Sequence, residues 1–383
     1  ISGVKVKGQN VGGYLKKGLY FIIPLLVIVF FIIIYRLANP VFTQLTNNIS
    51  LQLNSCFLAI FRSFDFTILF TIAIGLFISN FLIYRKIKQA IADSDLKSSE
   101  KIERKKQGGK NKNIFTALKT EYKTAVFLLF ILNFILLVVN AIDIHWVWFG
   151  FEWEGQYLKQ FVHEGTYLLI LSIFVSIFIV LHFFRGNLNF YSKNKFLKYL
   201  SYLWLAQNAV LAVSVAIRNF WYIHYFALAY KRIGVIIFLI LVLIGLYTVL
   251  VKVLRRKSVF YLLKTNAFAL YLALVISSGI NWDMLIARYN FRHSDTSFLH
   301  LDFMAKLSDK VLPQLDIPHT VLLKINEKQS QLFPFEKQYM GPLEYHKAIE
   351  ERKIKFKNRW ESKNILSWNL PEYLAYKRLF SEK

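Results

Sequence analysis

Seven stretches of this chain are each apolar over close to the length needed to cross a bilayer as a helix, and nothing else in the sequence restricts the fold as much. Hydrocarbon about 30 Å thick, at about 1.5 Å rise per residue, asks for roughly 20 predominantly apolar residues per crossing. The stretches lie at about 18–35, 66–84, 125–144, 166–184, 200–220, 234–251 and 260–280. With 55% hydrophobic residues and 36 Phe among 383, the composition excludes an ordinary water-soluble core. The expected fold class is therefore all-α, a polytopic membrane bundle of about seven transmembrane helices over 1–280. A small helical extramembrane tail should follow over 281–383, where apolar density falls and Pro313, Pro318, Pro334, Pro342 and Pro371 punctuate the chain. The first stretch is led by Lys16 and Lys17, carries Pro24, and has no A-x-A-like site after it, so it reads as a signal anchor rather than a cleavable signal peptide.

Orientation follows from cations, because Lys and Arg concentrate on the cytosolic side. The chain holds 48 Lys+Arg against 23 Asp+Glu, a formal charge of +25. With a cytosolic N-terminus, the loops expected outside contain only Arg36, Arg62, Lys159, Arg218, Lys231 and Arg232, while the segment 85–123 alone is densely basic. That segment is expected to be a mobile cytosolic loop that fixes topology and can meet anionic headgroups, at about 1 kcal/mol per basic side chain. An odd number of crossings then puts the tail on the periplasmic or extracellular side. Trp146, Trp148, Trp153, Trp221 and Trp282 all fall near expected outer ends, where indoles favour the headgroup level. Excess positive charge in such a chain points to membrane lipids as partners rather than to nucleic acid.

Sequence motifs for chemistry are lacking. There is no nucleophile elbow, dinucleotide fingerprint or kinase set, and Gly108-Gly109-Lys110 lacks the phosphate-loop spacing. His145, His163, Glu152 and Glu154 follow no zinc-ligand spacing, and Cys56 is the single cysteine, so no catalytic residue, metal or cofactor is assigned. Polar residues inside the apolar stretches are more informative, since hydrocarbon drives them toward helix contacts or cavities. Asn133, Asn140 and Asp143, at offsets of seven and three, share one face of the third stretch; Gln207, Ser214, Arg218 and Tyr222, at offsets of seven, four and four, share one face of the fifth. These faces suit either interhelical hydrogen bonds, at about 0.6 kcal/mol each, or a polar path. Asp143 and Arg218, both near the outer end, are expected to approach one another, directly or through Tyr222.

Two further runs stand out. Tyr222 to Arg232 reads YIHYFALAYKR, and Asn281 to Asn290 reads NWDMLIARYN, followed by Leu301-Asp302 and Leu307-Ser308-Asp309. Together they resemble an uncharacterised bacterial family of polytopic membrane proteins, a domain of unknown function, over about 166–315. In that family the first run carries Tyr-Gly-Leu-Thr where this chain has Phe226-Ala227-Leu228-Ala229. The resemblance implies a bacterial cytoplasmic-membrane protein and assigns no activity. Arg288, Tyr289 and Asn290, with Asp302 and Asp309 downstream, form a polar set suited to docking the tail or contacting a ligand. The run from Ile349 to Lys363 offers a partial apolar face through Ile354, Phe356 and Trp360. The resulting expectation is a non-enzymatic scaffold, assembly or sensory subunit of a cell-envelope complex with protein partners; the alternative is a transporter or lipid-handling protein.

Overall fold

A computed structural model describes residues 5–6, 9–46, 100–102, 112–149 and 157–380. The apolar stretch at 66–84, Cys56, Trp153, Glu152 and Glu154 lie outside the described residues, as does most of the basic segment 85–123. Among the described residues, six helices are long and apolar enough to cross a membrane. The protein is thus an all-α, membrane-embedded helix bundle, with one two-residue hairpin pairing β1 (Lys5–Val6) with β2 (Gln9–Asn10).

The crossing helices are α1 (Val11–Ala38), α3 (Lys112–Asp143), α4 (Tyr157–Phe183), α5 (Lys195–Phe226), α6 (Tyr230–Arg255) and α7 (Val259–Ser278), and a short α2 (Pro40–Leu45) follows α1. Most outrun their apolar stretches, because helix-forming polar residues at the ends continue the hydrogen-bonded ladder beyond the hydrocarbon. One expectation changes for this reason. The segment 112–123, placed in a mobile loop from its charge, is the first three turns of α3; its Ala, Leu, Lys and Glu are all good helix formers. Downstream come α8 (Trp282–Arg292), α9 (Leu301–Met304), α10 (Leu312–Leu315), α11 (His319–Leu332), α12 (Pro342–Glu361) and α13 (Leu370–Phe380).

The chain falls into two compact units. The first comprises 1–144, 167–212 and 243–269. Its core is aliphatic and aromatic, with Phe31 and Trp204 fully buried and edge-to-face at 5.6 Å. Helix ends are closed by side chains here. Lys252 is buried and its Nζ donates to the Phe184 carbonyl at 3.0 Å, satisfying a terminal acceptor of α4. After α6, Arg256 turns left-handed at φ 52° and the Lys257 amide reaches back to the Lys252 carbonyl. The segment Glu100–Ile102 then pairs antiparallel with this turn: Ile102 donates to the Arg256 carbonyl at 2.9 Å and Ser258 to that of Glu100 at 2.8 Å. The Lys257 ammonium hydrogen-bonds the Glu100 carboxylate and holds its pKa below the usual range.

The second unit comprises 145–166, 213–242 and 270–383. Its main core gathers Ile223, Leu228 and Ile233 with Ile286, Leu299, Met304, Leu315, Tyr345 and Phe356. The tail is therefore a folded body packed on the turn between α5 and α6. The apolar face of α12 is Tyr345, Ile349 and Phe356, while Ile354 is exposed. The partial face expected through Ile354 is corrected accordingly: Ile354 is five residues past Ile349, about 140° around the helix from it, on the solvent side.

Candidate functional site

In the first unit, the polar face of α3 meets that of α5. Asn133 Nδ2 donates to the Leu200 carbonyl at 3.1 Å, Gln207 Nε2 donates to Asn133 Oδ1 at 2.8 Å, and Asn140 Nδ2 donates to the Gln207 carbonyl at 3.0 Å. The offset of seven at both 133/140 and 200/207 keeps the two helices in step, so each bond recurs two turns on. One turn further, Asp143 is fully buried where α3 passes directly into a π-helical run, and a buried carboxylate needs a donor. A compensating donor comes from Asn39, whose Nδ2 lies 2.7 Å from Asp143 Oδ1. The Oδ1 of the same Asn39 caps α2 by accepting from the Val41 and Phe42 amides at 3.0 and 3.1 Å. Asn39 is entirely buried and was missed by sequence reasoning; an Asn-Pro pair just after an apolar stretch was the available signal.

The π-helical run Ile144–Phe149, in the second unit from His145 on, carries Trp146, Trp148 and Phe149. The Trp148 indole donates to Ser214 Oγ at 3.0 Å and the Trp221 indole to the Val147 carbonyl at 2.9 Å. Trp282 likewise donates to the Ser277 carbonyl at 2.9 Å, which fixes the bend from α7 into α8. These indoles are spent within the protein. Arg218 is 1% exposed in this unit, whereas Asp143 belongs to the first. The Arg232 guanidinium lies 4.3 Å above the Tyr222 ring and donates to the carbonyls of Phe226 and Ala227. Arg232 closes the α5–α6 turn, a role concealed by its place among the loop charges.

That turn contains Ala227 at φ 64°, a left-handed conformation that suits glycine. It is the position at which the resembled family carries Gly. Ala227→Gly is expected to stabilise the protein by about 1 kcal/mol, since a left-handed L-residue costs about 1–2 kcal/mol and glycine's larger unfolded-state entropy offsets part of the gain. Thermal unfolding of the purified protein reads this directly, and a lowered midpoint would contradict it.

The tail residues separate into distinct roles. Asn290, 2% exposed, bridges both main-chain groups of Leu228: the Leu228 amide donates to Oδ1 at 2.6 Å and Nδ2 donates to the Leu228 carbonyl at 3.0 Å. Tyr289 stacks on His293 at 4.2 Å, and burial pushes its hydroxyl pKa up. Asp309 takes Arg352 and Arg359, at 2.8 Å in the second case, while Asp302 meets Lys306 at the longer distance of 3.9 Å. Arg352 also donates to the carbonyls of Ala305 and Leu307. A further unforeseen tie is Gln329, seven residues past Leu322 on the buried face of α11. Its amide joins Ser294, Ser297 and Leu299 through their main chains.

Arg288 stands apart from this set. It lines a cavity of about 180 Å³ between α8 and α13, together with Lys310 and Arg378. No group of three or more potential metal ligands gathers among the described residues. What the arrangement offers chemically is hydrogen bonding between helices in the first unit and, in the second, a docked tail with a cationic cavity.

No curated protein and no solved structure matches the chain. A family model, the domain of unknown function DUF4153, matches residues 7–317, well beyond the runs that carry the resemblance in sequence. The chain, a membrane-embedded bundle with a docked tail, belongs to this family.

Proposed function

We propose that this integral membrane protein is a non-enzymatic scaffold, assembly or sensory subunit of a bacterial cell-envelope complex, with a cytosolic N-terminus and its tail in the periplasm or outside the cell. The observation that carries the reading is the commitment of the intramembrane amides: Asn133, Asn140 and Gln207 bond one helix to another. In the second unit the folded tail packs against the aromatic run, Phe298 and Phe333 joining Val147 in one cluster, and Phe149 stays exposed as a surface suited to protein partners. Gentle detergent extraction followed by mass spectrometry tests it. Fixed-stoichiometry partners are expected, and a monodisperse chain purified alone would count against the reading.

The alternative, a transporter or lipid-handling protein, is favoured by one detail. The buried Oδ1 of Asn140 and Oε1 of Gln207 have no hydrogen-bond partner, as groups facing a solute or water would. Asn133→Leu discriminates. Loss of its two interhelical bonds should cost about 1 kcal/mol in the membrane. A scaffold that still folds should keep its partners, whereas a carrier should lose flux at unchanged abundance.

A further inference from the structure

The cavity between α8 and α13 combines three features. First, three cations line it, Arg288, Lys310 and Arg378, and no carboxylate does. None of the three makes an ion pair among the described residues. The acids next in sequence are engaged elsewhere: Asp309 takes Arg352 and Arg359, and Asp283 accepts from the Ser308 hydroxyl through Oδ2. All three are solvent-exposed, which screens their mutual repulsion; an anion entering the cavity meets three cationic groups and no carboxylate in its lining. Second, Gln314 belongs to the same lining, and its amide oxygen, buried behind that surface, has no partner among the described residues and so is not committed elsewhere.

The third feature says where the anion comes from. Immediately before α13, whose Leu370, Pro371 and Leu374 form one wall of the cavity, the chain exposes Ile365 (85%), Leu366 (92%) and Trp368 (52%). Large apolar side chains projecting this far mark contact with a membrane or a partner, and a tryptophan among them suits the headgroup level. The opposite wall, α8, begins only a few residues after Ser278, the end of the last crossing helix, and the Trp282 indole ties it to that end. The cavity thus opens near the depth at which α7 leaves the hydrocarbon, with an apolar ridge beside it.

We propose that this cavity binds the phosphate of an anionic membrane lipid from the leaflet in which α7 ends. Arg288, Lys310 and Arg378 take the phosphate oxygens, Gln314 accepts from a polyol hydroxyl, and the ridge of Ile365, Leu366 and Trp368 enters the acyl boundary. Guanidinium groups suit the phosphate because their planar donors address two oxygens at once.

The test is native mass spectrometry of the full-length protein with phosphatidylglycerol, with phosphatidylcholine of the same acyl chains, and with glycerol 3-phosphate. The wild-type protein should retain phosphatidylglycerol in preference to phosphatidylcholine. The variant Arg288→Gln/Arg378→Gln should weaken phosphatidylglycerol binding by about twenty-five-fold, near fivefold for each basic side chain. Leu366→Ser/Trp368→Ser should weaken lipid binding and leave glycerol 3-phosphate binding unchanged. Equal retention of the two lipids by the wild type, a comparison that needs no variant to fold, overturns the proposal. So does full lipid binding by the double arginine variant, or glycerol 3-phosphate binding as tight as the lipid's, which would mark a site for a soluble phosphate ester.

Discussion

Asn290→Leu is expected to release the tail from the turn between α5 and α6. The substitution keeps the number and branching of the side-chain heavy atoms and removes both bonds to Leu228, so the destabilisation comes chiefly from two buried main-chain groups left without partners. Each such group costs about 1–3 kcal/mol, and about 3 kcal/mol is expected in total. Hydrogen exchange gives the localised readout. Amides of residues 228–233 and 286–292 should lose protection, while those of α3 in the first unit keep theirs. Unchanged exchange at Leu228 would show that the asparagine is not the tie described.

Arg352→Met should have an effect of similar size inside the tail. One guanidinium serves the Asp309 carboxylate and the carbonyls of Ala305 and Leu307, so its removal strands the two carbonyls and leaves Asp309 to Arg359. The arginine side chain retains 24% exposure, which lets water replace part of what is lost; about 2 kcal/mol is expected rather than the larger penalty of a fully buried pair. Arg352→Lys should recover less than half of this, because an ammonium lacks the planar fork that spans the three acceptors. Thermal unfolding and the rate of proteolysis within 301–361 measure both variants. Full rescue by lysine would mean that charge alone suffices.

Much of the bundle was legible because its cause is simple. Long apolar runs report the hydrocarbon thickness, and offsets of three, four and seven report helix faces, which is how Asn133, Asn140 and Gln207 came to notice before their contacts were known. The limits of the helices are less legible, since the charge over 112–123 points to a loop while the same residues favour helix. The window opened at Ile349 left out Tyr345 and so misjudged the buried face of α12. Arg232 and Arg352 escaped notice for a shared reason: each is held by main-chain carbonyls that a turn presents, and no sequence spacing encodes the position of a carbonyl. Arg288 was grouped with Asn290 as one docking set, but the helix places the first toward the cavity and the second toward Leu228.

The grip of Asn290 on Leu228 has a consequence for how this protein can diverge. Because the amide meets residue 228 only through its peptide atoms, the locus at 228 is free to exchange one aliphatic for another with no matching change at 290. Paired drift between the two columns is then not expected in homologues, although the two positions touch. Constancy should appear on one side alone, as an asparagine retained opposite a neighbour that varies.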